Sequence, residues 1–127
     1  MPIAMQYGSG TGSSSKRTGM AMTLIWTNTD PSSSFAAQTV AVDLAGYDAV
    51  AIRTLFSTSS QQPLPLGFYI CDNTLTCYIP LTARTTNNNG GRLFTFEDDG
   101  MAFQAGYYSG SSNNAYAIPY QIYGVKF

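Results

Sequence analysis

Phe35-Ala36-Ala37-Gln38-Thr39-Val40-Ala41-Val42-Asp43-Leu44-Ala45-Gly46-Tyr47-Asp48-Ala49-Val50 decides the fold class. Val40, Val42 and Leu44 fall on one side of an extended chain, and Thr39, Ala41 and Asp43 on the other. That period of two belongs to a half-buried strand and not to a helix. Leu44-Ala45-Gly46-Tyr47 then turns the chain. Beyond the turn, Val50, Ile52 and Phe56 line a further strand whose other face carries Ala49, Ala51 and Arg53. Upstream, Leu24 and Trp26 share one face of a first strand.

Outward from this stretch the same period continues. Pro63-Leu64-Pro65 keeps the next segment out of a central ladder at its start. Leu66 to Cys71 and Cys77 to Ala83 are predicted to form a hairpin around Asp72-Asn73-Thr74. Asn87-Asn88-Asn89-Gly90-Gly91 is the strongest turn signal in the chain. Arg92 to Phe96 and Met101 to Tyr108 make a second hairpin, closed by Asp98-Asp99-Gly100 as a three-residue loop. Gly110 to Asn114 is a last loop. Tyr116, Ile118, Tyr120 and Ile122 alternate in the closing strand, where Pro119 or Gly124 marks a bulge or an edge. No segment keeps a helical period for more than two turns. The expectation is an all-β domain of about eight strands, an antiparallel β-sandwich of jelly-roll-like form.

The 127 residues suit one domain, with residues 20–127 as the sandwich. Residues 1–19 hold Gly8-Ser9-Gly10-Thr11-Gly12-Ser13-Ser14-Ser15 and read as a flexible segment without core contacts. The glycine spacing there lacks the Gly-Lys-Ser/Thr ending of a phosphate loop.

Charged residues are 10% of the chain, against roughly 25% in ordinary soluble domains. Forty residues are Ser, Thr, Asn or Gln, so the surface is wet but barely charged and repels copies of itself weakly. With nine tyrosines and seven phenylalanines, this points to a subunit of an oligomer or a particle. The net charge is −1 and no basic stripe exists, which argues against nucleic acid. No apolar run has the length of a membrane helix, and no secretory leader is visible at Met1-Pro2-Ile3-Ala4-Met5.

Histidine is absent, which removes the commonest general base and the commonest transition-metal ligand. The only acidic cluster, Glu97-Asp98-Asp99, sits on a hairpin tip and reads as a polar turn. A Ca²⁺ site on Asp98 and Asp99 is the lesser reading, and a pair of glycosidase carboxylates a smaller one still. The expectation is therefore no catalytic residue, no metal and no cofactor. Cys71 and Cys77 enclose five residues. A loop over all of Asp72–Thr76 lets them face each other and bond, whereas a turn of Asp72-Asn73 alone sends them to opposite faces. The candidate ligand residues are Tyr107, Tyr108, Asn113 and Asn114, with Asn87 and Asn88 behind them. Flat rings beside amides and hydroxyls are what a saccharide contact needs.

Leu24-Ile25-Trp26-Thr27-Asn28, the Phe35–Val50 stretch and Ile118-Pro119-Tyr120-Gln121-Ile122-Tyr123-Gly124-Val125-Lys126-Phe127 together resemble the C-terminal domains of phage tail fibre and minor structural proteins, especially in phages of Gram-positive gut bacteria. Within them, Trp26-Thr27-Asn28, the Asp43-to-Asp48 corner and the Tyr120-to-Gly124 strand carry the pattern and look like framework. The resemblance implies a non-enzymatic virion protein, a receptor-binding tip or decorating domain that assembles with itself as a homotrimer and with other tail proteins. It also implies contact with a host-surface saccharide. The short N-terminus, which lacks a shaft, departs from the family's pattern. A glycan-binding lectin or adhesin module is the alternative, and a tail-associated polysaccharide hydrolase a weaker one.

Overall fold

The computed structural model describes residues 20–81 and 90–127; the N-terminal segment 1–19 and the residues Asn87, Asn88 and Asn89 lie outside them. Ten strands build two antiparallel sheets packed as a sandwich, and no helix is present among the described residues. The first sheet has the order β1 (Ala21–Thr27), β10 (Tyr116–Lys126), β3 (Ala49–Ser57), β4 (Gly67–Ile70). In the second, β6 (Gly90–Glu97) is central. β5 (Thr76–Pro80) pairs along one side of it, and β7 (Gly100–Phe103) followed by β8 (Tyr107–Tyr108) along the other. Between Phe94↔Phe103 and Gly91↔Tyr107, β6 advances three residues and its partner four. β7 and β8 are thus one strand broken by a bulge. β2 (Gln38–Ala41) closes the outer side of β7, and β9 (Ser111–Ser112) that of β8.

The antiparallel sandwich agrees with the sequence pattern. A jelly roll is not established by this connectivity, in which β5, β6 and β7 succeed one another within a single sheet. Three local expectations need correction. The hairpin expected of residues 66–71 and 77–83 is not what the described part forms: β4 pairs with β3 in the first sheet and β5 with β6 in the second, so Asp72–Leu75 carries the chain from one sheet to the other. Gly90 and Gly91 belong to β6 and not to a turn. The β6–β7 loop is two residues, Asp98-Asp99, because Glu97 pairs with Gly100. Gly100 is needed for space, since a Cβ there would lie 2.0 Å from the Val40 carbonyl oxygen of β2.

The main core lies between the sheets. Val50, Ile52, Ile118 and Ile122 from the first meet Val40, Phe94, Phe96 and Met101 from the second, with Phe35 and Phe103 at one end. Each such side chain contributes about 1.5–3 kcal/mol by leaving water. The stretches that carried the resemblance all converge on β10. The Asn28 N–H donates to the Tyr120 carbonyl (2.8 Å) and its Nδ2 to the Pro119 carbonyl (3.0 Å). The Tyr47 ring fills the space over Gly124, where a Cβ would come within 2.6 Å of it, and Asp48 N–H donates to the Val125 carbonyl. Pro119 sits at a shift of register against β3, as the sequence suggested.

β3 is buried on both faces. Val50 and Ile52 point into the core, while Ala49 and Ala51 point to the outer side of the first sheet, where Val125 and half-buried Tyr123 pack on them. The register aligns Met22, Val125, Ala49 and Ile70 in one row across the four strands. The next outward row is Leu24, Tyr123, Ala51 and Phe68. Only the third row, Thr27, Gln121 and Arg53, is polar.

Candidate functional site

The proposed ligand residues gather at one end of the second sheet, around the β8–β9 hairpin. Its two-residue turn, Ser109-Gly110, has φ of +52° and +84°, the pair of positive values that a tight hairpin of right-handed twist requires. The region expected as an open loop from Gly110 to Asn114 is therefore a hairpin followed by a short connection. Tyr107 stands exposed at 41% of its surface, beside Ser112 across the hairpin. Tyr108 does not. Its ring stacks on Tyr116 with centroids 4.0 Å apart and planes within 2°, and Phe56 meets both rings edge-on. It anchors the hairpin rather than offering a free face.

The two asparagines shape the connection. Asn114 Oδ1 accepts from the Gly106 N–H (3.0 Å), and Asn113 Oδ1 accepts from the Ala115 N–H (3.1 Å). Their carbonyl oxygens are thus occupied by backbone. The structure brings Tyr107, Tyr108, Asn113 and Asn114 together, with Tyr107 and the hydroxyls of Ser109, Ser111 and Ser112 on the outside. Asn87 and Asn88 lie outside the described residues.

Beneath this end lies Arg92, 1% exposed on β6. Its Nε donates to the Ala117 carbonyl (2.8 Å), Nη1 to those of Phe35 (2.9 Å) and Gln104 (2.7 Å), and Nη2 to that of Tyr116 (3.0 Å). The guanidinium also lies 5.1 Å from the centre of the Phe35 ring. It ties together the β7–β8 bulge, the start of β10 and the loop before β2, and every acceptor is a backbone carbonyl. Burial pulls its pKa down to about 10, which leaves it charged at neutral pH. The carbonyls that it donates to favour the charged form. Ala117, at φ +53°, holds one of them in a conformation that L-residues seldom adopt. Sequence reading passed over Arg92, although the signal was there: it shares the parity of Phe94 and Phe96 and so had to point into the core.

The other candidates are less organised. Asp98 and Asp99 line a polar cleft of about 470 Å³ with Asn73, Phe96 and Glu97, where Asn73 Nδ2 donates to Asp98 Oδ1 (3.3 Å). Among the described residues no group of three or more Cys, Asp or Glu side chains is placed to hold a metal. A cavity of about 230 Å³ opens where β4 and β5 part, lined by Ile52, Thr54, Leu64, Tyr69 and Ile79. Cys71 and Cys77 carry free thiols, both half-buried against the main core. Burial raises both pKa values, helped by Asp48 at Cys71 and Asp72 at Cys77, so neither is activated as a nucleophile at neutral pH.

Among the described residues no helix is long and apolar enough to cross a membrane. No protein-family model, no curated protein and no solved structure matches this chain.

Proposed function

We propose that the chain is a non-enzymatic structural or receptor-binding domain of a phage tail, which displays the β8–β9 end to a host-surface saccharide and assembles as a homotrimer with other virion proteins around it. The observation that carries the binding part is the rigid mounting of an exposed, uncharged hairpin. Tyr107 and three serines are held outward by the Tyr108–Tyr116 stack, with Arg92 clamping the strands beneath. A flat ring with hydroxyls around it suits a sugar face, and a fixed loop loses little entropy on binding. The phage context rests on the resemblance of the Trp26-Thr27-Asn28, Asp43–Asp48 and Tyr120–Gly124 stretches, which the fold places together along β10 as framework. The same hairpin would serve a cellular lectin.

Sedimentation of the protein with whole Gram-positive gut bacteria and with their purified wall polysaccharides tests the reading. Saturable binding that falls at least tenfold in Tyr107→Ala is expected. Absence of binding to any such surface, or release of sugar fragments from the polysaccharide, contradicts it.

A further inference from the structure

We propose that the outer face of the first sheet, across β1, β10, β3 and β4, is a contact surface for a second copy of this chain. Its two apolar rows hold eight side chains with no charge among them. Met22, Leu24, Phe68 and Ile70 stand at the margins, 40–60% exposed, while Ala49, Ala51 and Val125 between them are dry. Met20, Leu66 and Phe127 are exposed residues directly beyond the ends of β1, β4 and β10. Four of the eleven large apolar side chains that stand exposed among the described residues thus lie in these two rows.

Half-exposed, these four side chains present an apolar area on the order of 400 Å², within the range of the largest patch on a monomer and about half of the ~800 Å² each partner gives a standard interface. On the opposite outer face Thr39, Ala102, Thr95 and Thr76 form the corresponding row, and Leu93, Tyr78 and Tyr107 are its large exposed apolar residues. The first face thus has two apolar rows side by side, where the second sets a shorter apolar cluster beside a row of threonines.

A second copy is the occupant that these observations select. The two apolar rows carry no charge to steer a charged partner, Arg53 lying beyond them in the polar row, and the rows of two or three copies can cover one another without any ion pair. At the polar end, Thr27, Gln121 and Arg53 supply the hydrogen-bonding rim that surrounds an apolar contact. The inference deepens the proposed homo-oligomer and rests on that reading for the partner's identity, whereas the sugar-binding hairpin plays no part in it.

Light scattering after size exclusion, at ~50 mM and ~1 M NaCl, tests it on the full chain. Wild type should have a mass of two or more chains at both salts, three for the proposed trimer, since no ion pair is there to screen. The double variant Leu24→Gln, Phe68→Gln should fall to 13.7 kDa, the mass of one chain, and still unfold cooperatively. Leu93→Gln on the opposite face should leave the mass unchanged. An assembled double variant that melts normally overturns the face and leaves the oligomer standing. A wild-type monomer overturns both, and if deletion of residues 1–19 then produces the oligomer, the chain's own N-terminus is the occupant.

Discussion

Arg92 and the outer face of the first sheet are opposite exceptions to the rule that polar groups sit outside and apolar ones inside. The arginine is a charge in the interior, and the chain supplies all that it requires: four backbone carbonyls and the face of Phe35. The sheet face is oil on the exterior, and the described residues supply nothing to cover it. Geometry explains the contrast. A buried cation without acceptors would cost several kcal/mol, so the fold is built around satisfying it. An exposed apolar face costs less within one chain and is stabilised by any apolar partner that covers it. One region is complete in the monomer; the other becomes complete by association.

The comparison breaks most visibly at the arginine. Arg92→Met keeps the volume but leaves the carbonyls of Phe35, Gln104, Tyr116 and Ala117 without their donor. A loss of about 3–5 kcal/mol is expected, much of the ~5–15 kcal/mol that a domain of this size possesses. Urea unfolding should show it as a lower midpoint or as failure to fold. Stability within 1 kcal/mol of wild type would mean that the clamp is dispensable. Arg92→Lys should lie between, because one ammonium with three donors cannot span the same acceptors.

A smaller effect sharpens the interior half of the contrast. Thr54 is 1% exposed, and its Oγ1 has no hydrogen-bond partner among the described residues. Thr54→Val replaces an unpaired hydroxyl by a methyl of similar size. Stability should stay level or rise by about 1 kcal/mol, read again from urea midpoints. A fall of more than 1 kcal/mol would show that the hydroxyl is partnered and that this wall of the cavity is polar by design.

How much of this was legible in the sequence follows from what each pattern encodes. The period of two along Val40–Leu44, Val50–Phe56 and Tyr116–Ile122 reports which side of a strand is buried, and that is enough for an all-β sandwich. It does not report pairing. The β4–β5 hairpin expected around Asp72-Asn73-Thr74 failed because a local turn with an Asx bond, Thr74 N–H to Asp72 Oδ1, serves equally well to cross between sheets. Of the candidate ligand residues, Tyr107 and Tyr108 could not be told apart, since adjacent residues point to opposite faces and only the register says which face is covered. Ala49 and Ala51 were legible as one face of β3. That they lie beneath Met22, Leu24, Phe68 and Ile70 depended on strand order, which no single segment contains.

Whether the outer face of the first sheet is covered in solution can be read directly by methionine oxidation. Met22 lies 40% exposed in that face, and Met101 is fully buried between the sheets. Hydrogen peroxide converts an accessible thioether to the sulfoxide, and peptide mass spectrometry scores each site separately. If a second copy covers the face, Met22 in assembled wild type should oxidise several-fold more slowly than in Leu24→Gln, Phe68→Gln, with Met101 slow in both. Met22 oxidising equally fast in both proteins, while Met101 stays protected, would contradict the claim.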